Sequence, residues 1–313
     1  MFTNKEYILE VYKEKSFSKA AENLYISQPS LSASVKRIED KIGAPVFDRS
    51  TSPITLTEIG CQYVKQAMEI EKIEHNFINY INDRLNILKG EINIGGSSLF
   101  SSYVLPPMIS KFNKLYPHAE LKIHEDNTKS LVSLLISGEL DVIMDNSVII
   151  NENISSYHYM SEIILLAVPK DLKINESLKA FSLSFDDIKN NLHTDETFPT
   201  VSLDIFKNES FIFLKQENDT GKKARQLCKK HGFTPKILFE LDQQVTAYNI
   251  ACTGMGICFV SDTLIKNLNA PHDIIYYKLS DSEIKRNICF YVKNSRYISN
   301  ACHKFIDINL TND

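Results

Sequence analysis

The chain has 313 residues, 43% of them hydrophobic, and its 35 Lys and Arg are outnumbered by 39 Asp and Glu for a formal charge of −4. That length fits about two or three domains, and that hydrophobic share lets each bury a substantial core. Bulk positive charge is excluded as a means of holding nucleic acid, so any such partner must be met by locally placed side chains.

The first informative stretch is Ser16 to Glu39, SFSKAAENLYISQPSLSASVKRIE. Ser18 is a plausible N-cap, and Lys19-Ala20-Ala21-Glu22 are strong helix formers. Ala20 and Ala21 are small enough to let a second helix cross closely. Leu24 anchors the end before a turn at Tyr25-Ile26. Ser27 then caps a second helix whose first turn holds Pro29, where a missing N–H is tolerated. Leu31, Val35, Ile38 and Ile42 recur at helical spacing and form its buried stripe. Pro29, Ser32, Ala33, Lys36 and Arg37 fall on the opposite face, with Gln28 at the tip. This is a helix-turn-helix, whose second helix can enter a major groove. Gln pairs with adenine, Ser bonds bases or phosphates, and Lys and Arg neutralise phosphates. A helical hairpin with merely solvated charges has the same spacing.

Gly43, Pro45 and Pro53 then punctuate a short β-turn-β segment, AlaProValPheAspArgSer followed by ProIleThrLeuThr. It predicts a wing beside the second helix, with Arg49 placed to reach DNA backbone or minor groove.

With the wing in place, the stretch AAENLYISQPSLSASVKRIEDKIGAPVFDRSTSPITLTEIG, from Ala20 to Gly60, resembles the winged helix-turn-helix of the LysR-type transcriptional regulators. The likeness runs without a gap there and extends more weakly along the chain. It implies DNA contacts from Ser27, Gln28, Pro29, Ser30, Ser32, Ala33, Lys36, Arg37 and Arg49. Ala33 departs from the family, which often carries a longer polar or basic side chain at that position. Residues 1–60 hold eight Lys/Arg and eight Asp/Glu, so grip must come from placement and from doubling the reader.

Thr57 caps the next segment, which has no proline and only Gly60 before Leu88. Ile59, Tyr63, Ala67, Ile70, Ile73, Phe77, Ile81, Leu85 and Leu88 recur every three or four residues. The pattern predicts a helix of about 30 residues, roughly 45 Å long. Such a helix outruns a small domain and needs a partner for its stripe. Tyr63, Ile70, Ile73, Phe77 and Ile81 are the expected seam between two copies, about a two-fold axis. A palindromic operator follows, with half-sites a whole number of DNA turns apart.

Lys89-Gly90 ends that helix, and strand then alternates with helix. Strands are expected at Glu91–Gly95, Ala119–His124, Leu140–Asp145, Ile163–Val168, Phe211–Leu214, Ile237–Glu240, Ile257–Val260, Ile274–Leu279 and Asn287–Val292. The helices between them include Ser97 to Tyr116, broken near Pro106-Pro107. This alternation argues for α/β layers with mostly parallel sheets.

The resemblance implies how the pieces assemble. A mainly α winged helix-turn-helix (1–57) and a linker helix (58–89) precede an α/β, two-subdomain effector domain (90–313) like a periplasmic binding protein. One subdomain is expected at 91–162 with 267–313 and the other at 163–266, with crossovers near Glu162 and Lys266. Residues 171–200 read as a surface insertion rich in Asn, Asp and Ser.

Ligands of α/β sheets sit beyond the carboxyl ends of strands, on helix N-termini. Ser97, Ser98, Ser101, Thr128, Lys215, Asn218, Thr220 and Gln243 occupy such positions. They suggest a small polar metabolite, with an anion among the candidates. Each hydroxyl has an alternative role as a helix cap.

Other chemistry finds little footing. Gly254-x-Gly256 lacks the third glycine of a dinucleotide loop and precedes a strand. The histidines show no metal-ligand spacing, no GxSxG nucleophile appears, and no cofactor is implied. The six cysteines contain no CxxC. Cys252 and Cys258 are the nearest candidates for a redox pair but flank an apolar strand start, and reduced thiols are the simplest reading. No apolar run reaches the roughly 18 residues of a membrane span and no secretory signal opens the chain, so a cytoplasmic location is expected. The reading is therefore a homodimeric or homotetrameric transcriptional regulator. Its expected partners are double-stranded DNA, a small effector and RNA polymerase. The alternative is an α/β ligand-binding protein or enzyme with an N-terminal helical protein-contact module.

Overall fold

The computed structural model describes residues 1–84, 90–269, 273–294 and 297–310. It divides into two compact units, Met1–Arg84 and Leu85–Asp313.

The first unit begins with α1 (Lys5–Glu14), α2 (Phe17–Asn23) and α3 (Gln28–Ile42). Ser16, not Ser18, caps α2: its backbone is extended and its hydroxyl accepts from Lys19 N. Ser27 caps α3 by accepting from Ser30 N, and Gly43 in the left-handed region stops it. Ile8, Val11, Ala20, Leu31 and Val35 are fully buried at the crossing of these helices. The two-strand wing follows as β1 (Phe47–Asp48) and β2 (Thr55–Leu56), paired antiparallel. Glu39 of α3 ties the wing down by accepting from Val46 N at 2.8 Å and Phe47 N at 3.3 Å.

The long helix is α4 (Glu58–Arg84), 27 residues, with Thr57 Oγ1 accepting from Gly60 N at 2.9 Å. The predicted stripe residues Leu85 and Leu88, and the stop at Lys89, lie outside the described residues. The stripe is divided between two jobs. Tyr63, Val64 and Ala67 join the core of the first unit, and Tyr63 stacks on Phe2 at 4.8 Å. Tyr63 is therefore committed inside its own unit and is not a seam residue. Farther along, Ile73 is 67% and Phe77 61% exposed, with Ile78 and Ile81 also outside.

The second unit is a mixed sheet wrapped by helices. Its first elements are β3 (Gly90–Gly96), α5 (Leu105–Leu115), β4 (Ala119–Glu125), α6 (Thr128–Ser137) and β5 (Val142–Asp145). A π-helical segment, Phe100–Val104, leads into α5. The helical irregularity thus lies just before the prolines, which sit in the first turn of α5 where their missing N–H is tolerated.

Next come β6 (Ile154–Pro169), β7 (Ser182–Leu183), α7 (Phe185–Lys189), β8 (Ser210–Leu214), α8 (Asp219–Lys230) and β9 (Lys236–Leu241). The chain closes with α9 (Gln244–Cys252), β10 (Ile257–Ser261), α10 (Asp262–Asn267), β11 (Ile274–Lys278), β12 (Lys285–Lys293) and α11 (Asn300–Leu310).

The strand order β4-β3-β5-β12-β6-β10-β8-β9 makes two lobes joined in the middle. In lobe I, β3 runs parallel to β4 and β5, and β12 pairs antiparallel with β5. In lobe II, β8 runs parallel to β9 and β10. The 16-residue β6 belongs to both. Its first half pairs with β12, and its second half, Ile164–Pro169, pairs with β10 and β11. Sequence reading finds only that second half, because the first half, ISSYHYMSE, is polar and only partly buried.

The pairing of β11 with Leu165–Pro169 places β11 in lobe II. The return crossing is accordingly at Lys285–Arg286, opposite Glu162–Ile163, and not near Lys266. Lobe I is about 91–162 with 285–310, and lobe II about 163–284. Each lobe has its own core, one centred on Ile92, Phe112, Phe290 and Phe305, the other on Leu166, Phe211, Phe259 and Tyr276.

Residues 171–200 are also more than a surface excursion. Leu178, Leu183 and Ile188 enter the core of lobe II, and β7 pairs with β11. His193 is fully buried and bonds Asp262 through Nε2 at 2.8 Å. Burial pushes the Asp262 carboxyl up, but hydrogen bonds from His193, Lys266 and Ile163 N prevail and hold it below the usual carboxylate range.

Candidate nucleic-acid interface and ligand cleft

In the first unit, Ser27, Gln28, Pro29, Ser30, Ala33, Lys36 and Arg37 are exposed along one side of α3, with Ser32 partly so. Leu31, Val35 and Ile38 occupy the buried side. The face is arranged internally: Ser27 and Ser30 hydroxyls lie 3.0 Å apart, and Gln28 Nε2 donates to Ser32 Oγ at 3.2 Å. Arg49 has partners of its own. Its guanidinium pairs with Glu39 at 3.0 Å and lies 5.0 Å over the Phe17 ring. It braces the wing against α2 and α3, so its side chain is less available than those of Lys36 and Arg37. Tyr25, in the turn between α2 and α3, is 96% exposed at φ 55°, a conformation uncommon for a bulky side chain.

The second unit contains a cleft between its lobes with a cavity of about 370 Å³. Ser97, Ser98, Thr128, Lys215, Asn218, Thr220 and Gln243 line it together. Ser101 does not: its hydroxyl donates to Gly96 O at 3.0 Å and serves the backbone. From lobe I the cavity receives the turn after β3, the N-terminus of α6 and the end of β5. From lobe II it receives the ends of β8 and β9 with the first turns of α8 and α9. The α8 end seats tightly. Gly221 is required there, since a Cβ would fall 2.3 Å from Lys215 O and 2.4 Å from Leu214 O.

Several of the predicted groups have partners within the chain. Thr128 Oγ1 donates to Asp145 Oδ2 at 2.8 Å. Asp145 is buried, which raises its pKa against the opposing pull of hydrogen bonds from Ser147 and Thr128. Asn218 caps α8 by accepting from Thr220 N, and Lys215 pairs with Asp242 at 2.9 Å.

Sequence reading missed the floor of the cleft. Arg286 on β12 has a side chain only 4% exposed. Its Nε donates to Glu162 Oε1 at 2.6 Å, and its Nη1 donates to Asp219 Oδ2 at 2.7 Å and Thr220 Oγ1 at 3.0 Å. Glu162 Oε1 also accepts from Asn146 of lobe I at 2.8 Å. The chain Asn146–Glu162–Arg286–Asp219 thus runs from one lobe, through both crossing strands, into the other.

All six cysteines are free. Burial raises the pKa of Cys252 and Cys258, keeping both protonated and poorly nucleophilic, and pushes Cys228 up to about 12.

Residues 3–61 match the family model described as the bacterial regulatory helix-turn-helix protein, lysR family, and residues 86–311 match the LysR substrate binding domain. The chain belongs to the LysR family. LysR-type proteins are transcriptional regulators that pair a DNA-binding helix-turn-helix with an effector-binding domain, and this chain has both parts. Family membership sets aside the reading of an enzyme with a helical appendage.

Among relatives of this LysR-type chain is an uncharacterized HTH-type transcriptional regulator, YcgK, of Bacillus subtilis (strain 168). It is 28% identical over 97% of this chain and 92% of its own. A probable RuBisCO transcriptional regulator of Gracilaria tenuistipitata var. liui is 26% identical, covering 94% of this chain and 91% of that one. Full-length OxyR from Pseudomonas aeruginosa has a similar fold, with a TM-score of 0.68 and 21% identity over 99% of this chain and 93% of that one. Full-length CbnR, solved with its target DNA, gives 0.66 at 16% identity over 98% of each chain. Among the described residues of this LysR-type regulator, no helix is long and apolar enough to cross a membrane.

Proposed function

We propose that two copies of this regulator, paired through the last turns of α4, read a palindromic operator with the exposed face of α3, and that a small polar metabolite in the cleft biases the reading. The observation that carries the DNA half is the exposed row Gln28, Ala33, Lys36 and Arg37 on a helix whose other side is fully buried. Among the described residues neither Lys36 nor Arg37 has an ion-pair partner, so both are free to neutralise phosphates. Ser27 and Ser30 supply hydroxyls at the helix N-terminus, where phosphate is favoured. Ala33 leaves the middle of the row without hydrogen-bonding capacity, so base reading falls to Gln28 and Ser32.

The switch is a shift between two cleft arrangements. A metabolite that prefers one of them changes the DNA-bound population by no more than its differential affinity allows. The regulator works in the cytoplasm and hands its output to RNA polymerase.

Footprinting on the DNA upstream of its own gene tests the reading. Wild-type protein is expected to protect two half-sites about 10–10.5 bp, or a multiple of that, apart. The Lys36→Ala/Arg37→Ala variant is expected to lose protection, with the slope of log K against log salt flattened by about 0.9 per lost phosphate contact. An unchanged footprint and salt slope in a folded variant sinks the assignment.

Pairing through α4 has a separate check. Burying an Ile or Phe side chain contributes about 1.5–3 kcal/mol, and each acts twice across a two-fold axis. Ile73→Asp with Phe77→Asp is therefore expected to give monomers by analytical ultracentrifugation. A dimer that persists in that variant places the seam elsewhere.

A further inference from the structure

Glu162 and Arg286 are direct partners in the register of β6 against β12, where both strands pass between the lobes. Their side chains are 0% and 4% exposed. Arg286 Nε donates to Glu162 Oε1, which also accepts from Asn146 of lobe I. Arg286 Nη1 reaches into lobe II, to Asp219 and Thr220 in the first turn of α8.

The ion pair itself is half made. A guanidinium meets a carboxylate best through two parallel bonds, and along the side edge of an arginine the two donors are Nε and Nη2. Here Nε has its oxygen. Nη2 and Glu162 Oε2 are both buried, and neither has a hydrogen-bond partner among the described residues. Buried polar atoms left this way are costly. These two belong to one ion pair and would satisfy each other. The torsion that turns Oε2 toward Nη2, χ3 of Glu162, is soft.

We propose that Asp219 is the catch of a latch between two cleft arrangements. In the tied arrangement, Asp219 and Thr220 hold Arg286 by Nη1 and the bond to Glu162 stays single. In the released arrangement α8 draws away and Arg286 closes on Glu162 through both Nε and Nη2. The side chain of Asp219 is 18% exposed, so it has water to turn to. The exchange is balanced: two hydrogen bonds to α8 are given up, and two buried atoms gain a partner. Such balance lets a ligand of modest differential affinity move the population. The inference rests on the cleft being the effector site. A ligand seated between Ser98 of lobe I and Asn218 and Thr220 of α8 favours the tied arrangement. Asp219 thereby acts as a positioning residue, setting how far the free regulator leans toward its effector-bound state.

The test uses the full chain with no small molecule added. Spin labels on non-natural residues at Glu152 in lobe I and Lys222 in lobe II, both exposed, report the interlobe distance by double electron–electron resonance. Labelled chain is diluted with unlabelled chain so that each measured pair lies in one copy. Asp219→Ala is expected to raise the ratio of released to tied populations by about tenfold or more, the usual loss for a charge-assisted hydrogen bond. It is read as a second, longer distance. Thr220→Val shifts the ratio the same way by less, and Asp219→Glu, which keeps the charge, stays near wild type. Glu162→Gln presents Nη2 with an amide N–H in place of an acceptor, so adding it to Asp219→Ala is expected to lower the ratio again. Operator affinity of the same variants changes in step with the ratio.

An unchanged distance distribution in Asp219→Ala overturns the latch. So does a shift that Asp219→Glu shows equally, or one that Glu162→Gln leaves in place. If Glu162→Gln does not fold, the contrast between Asp219→Ala and Asp219→Glu decides. A shifted distribution with unchanged operator affinity leaves the latch standing and overturns the reading that the cleft arrangement biases DNA binding.

Discussion

Replacing Arg286 with methionine is expected to destabilise the effector unit by about 3–5 kcal/mol, the usual penalty for removing one partner of a buried ion pair. The reason lies in what remains. Glu162 is fully buried, and one of its oxygens already has no hydrogen-bond partner. Without Arg286 the other oxygen keeps only Asn146, and an uncompensated carboxylate stays inside the joint between the lobes. Asp219 is partly exposed and can turn to water, so most of the penalty arises at Glu162. The companion double variant Arg286→Met/Glu162→Leu is expected to recover most of the loss, since replacing both members of a buried pair with apolar groups is often neutral or stabilising. Urea denaturation followed by tyrosine fluorescence measures both. A single variant as stable as wild type would show that the pair contributes nothing. A double variant no better than the single would show that the penalty comes from packing instead of charge.

Gly60→Ala is expected to unfold or loosen the DNA-reading unit while sparing the effector unit. A Cβ at Gly60 would lie 1.9 Å from Val46 O and 2.9 Å from Val46 C, both backbone atoms that cannot swing aside. Val46 O is also fixed by Thr57 N at 3.0 Å. The first turn of α4 would have to lift from the wing, dragging Tyr63, Val64 and Ala67 out of register with the core they complete. Overpacking of this kind costs about 3 kcal/mol at its upper end. A unit of 84 residues has a total stability of roughly 4–12 kcal/mol at the per-residue average. Calorimetry should show an early transition for the first unit and an unchanged one for the second, with DNA binding lost in step with the first. Gly43→Ala is the control. Its glycine is at φ 81° but a Cβ there meets nothing within 4 Å, so only backbone strain of about 1–2 kcal/mol is expected. Equal effects at the two positions would refute the steric argument.

The sequence carried the DNA-reading unit well because its signals are local. Ser27, Pro29 and the Leu31–Val35–Ile38 stripe are read within four turns of helix, and the error at the cap of α2 was two residues. Seven of the eight proposed cleft residues line one cavity because strand ends and helix starts are also local features. The floor escaped notice for the opposite reason. Glu162 and Arg286 stand 124 positions apart and meet only through the register of β6 against β12. Nothing near either residue distinguishes it from a solvated charge. The polar first half of β6 hid its strand character in the same way. The segment at 171–200 is hidden by its composition: Leu178, Leu183 and Ile188 anchor it at intervals of five, which match neither the helical nor the strand period, and polar neighbours mask them.

The order of strands bears on how the molecule is made. Lobe II is continuous in sequence, whereas lobe I has β3, β4 and β5 before it and β12 and α11 after it. During synthesis lobe II can therefore close first, from residues already outside the ribosome. Lobe I must wait with a gap in its sheet, because β12 fills the place between β5 and β6. Once lobe II has folded, the ends of its chain stand at neighbouring positions on the crossing strands, which shortens the loop that lobe I must close and reduces its entropic penalty. Arg286 lies on β12, after lobe II in the chain, so the ion pair that spans the joint forms only once lobe II has been synthesised.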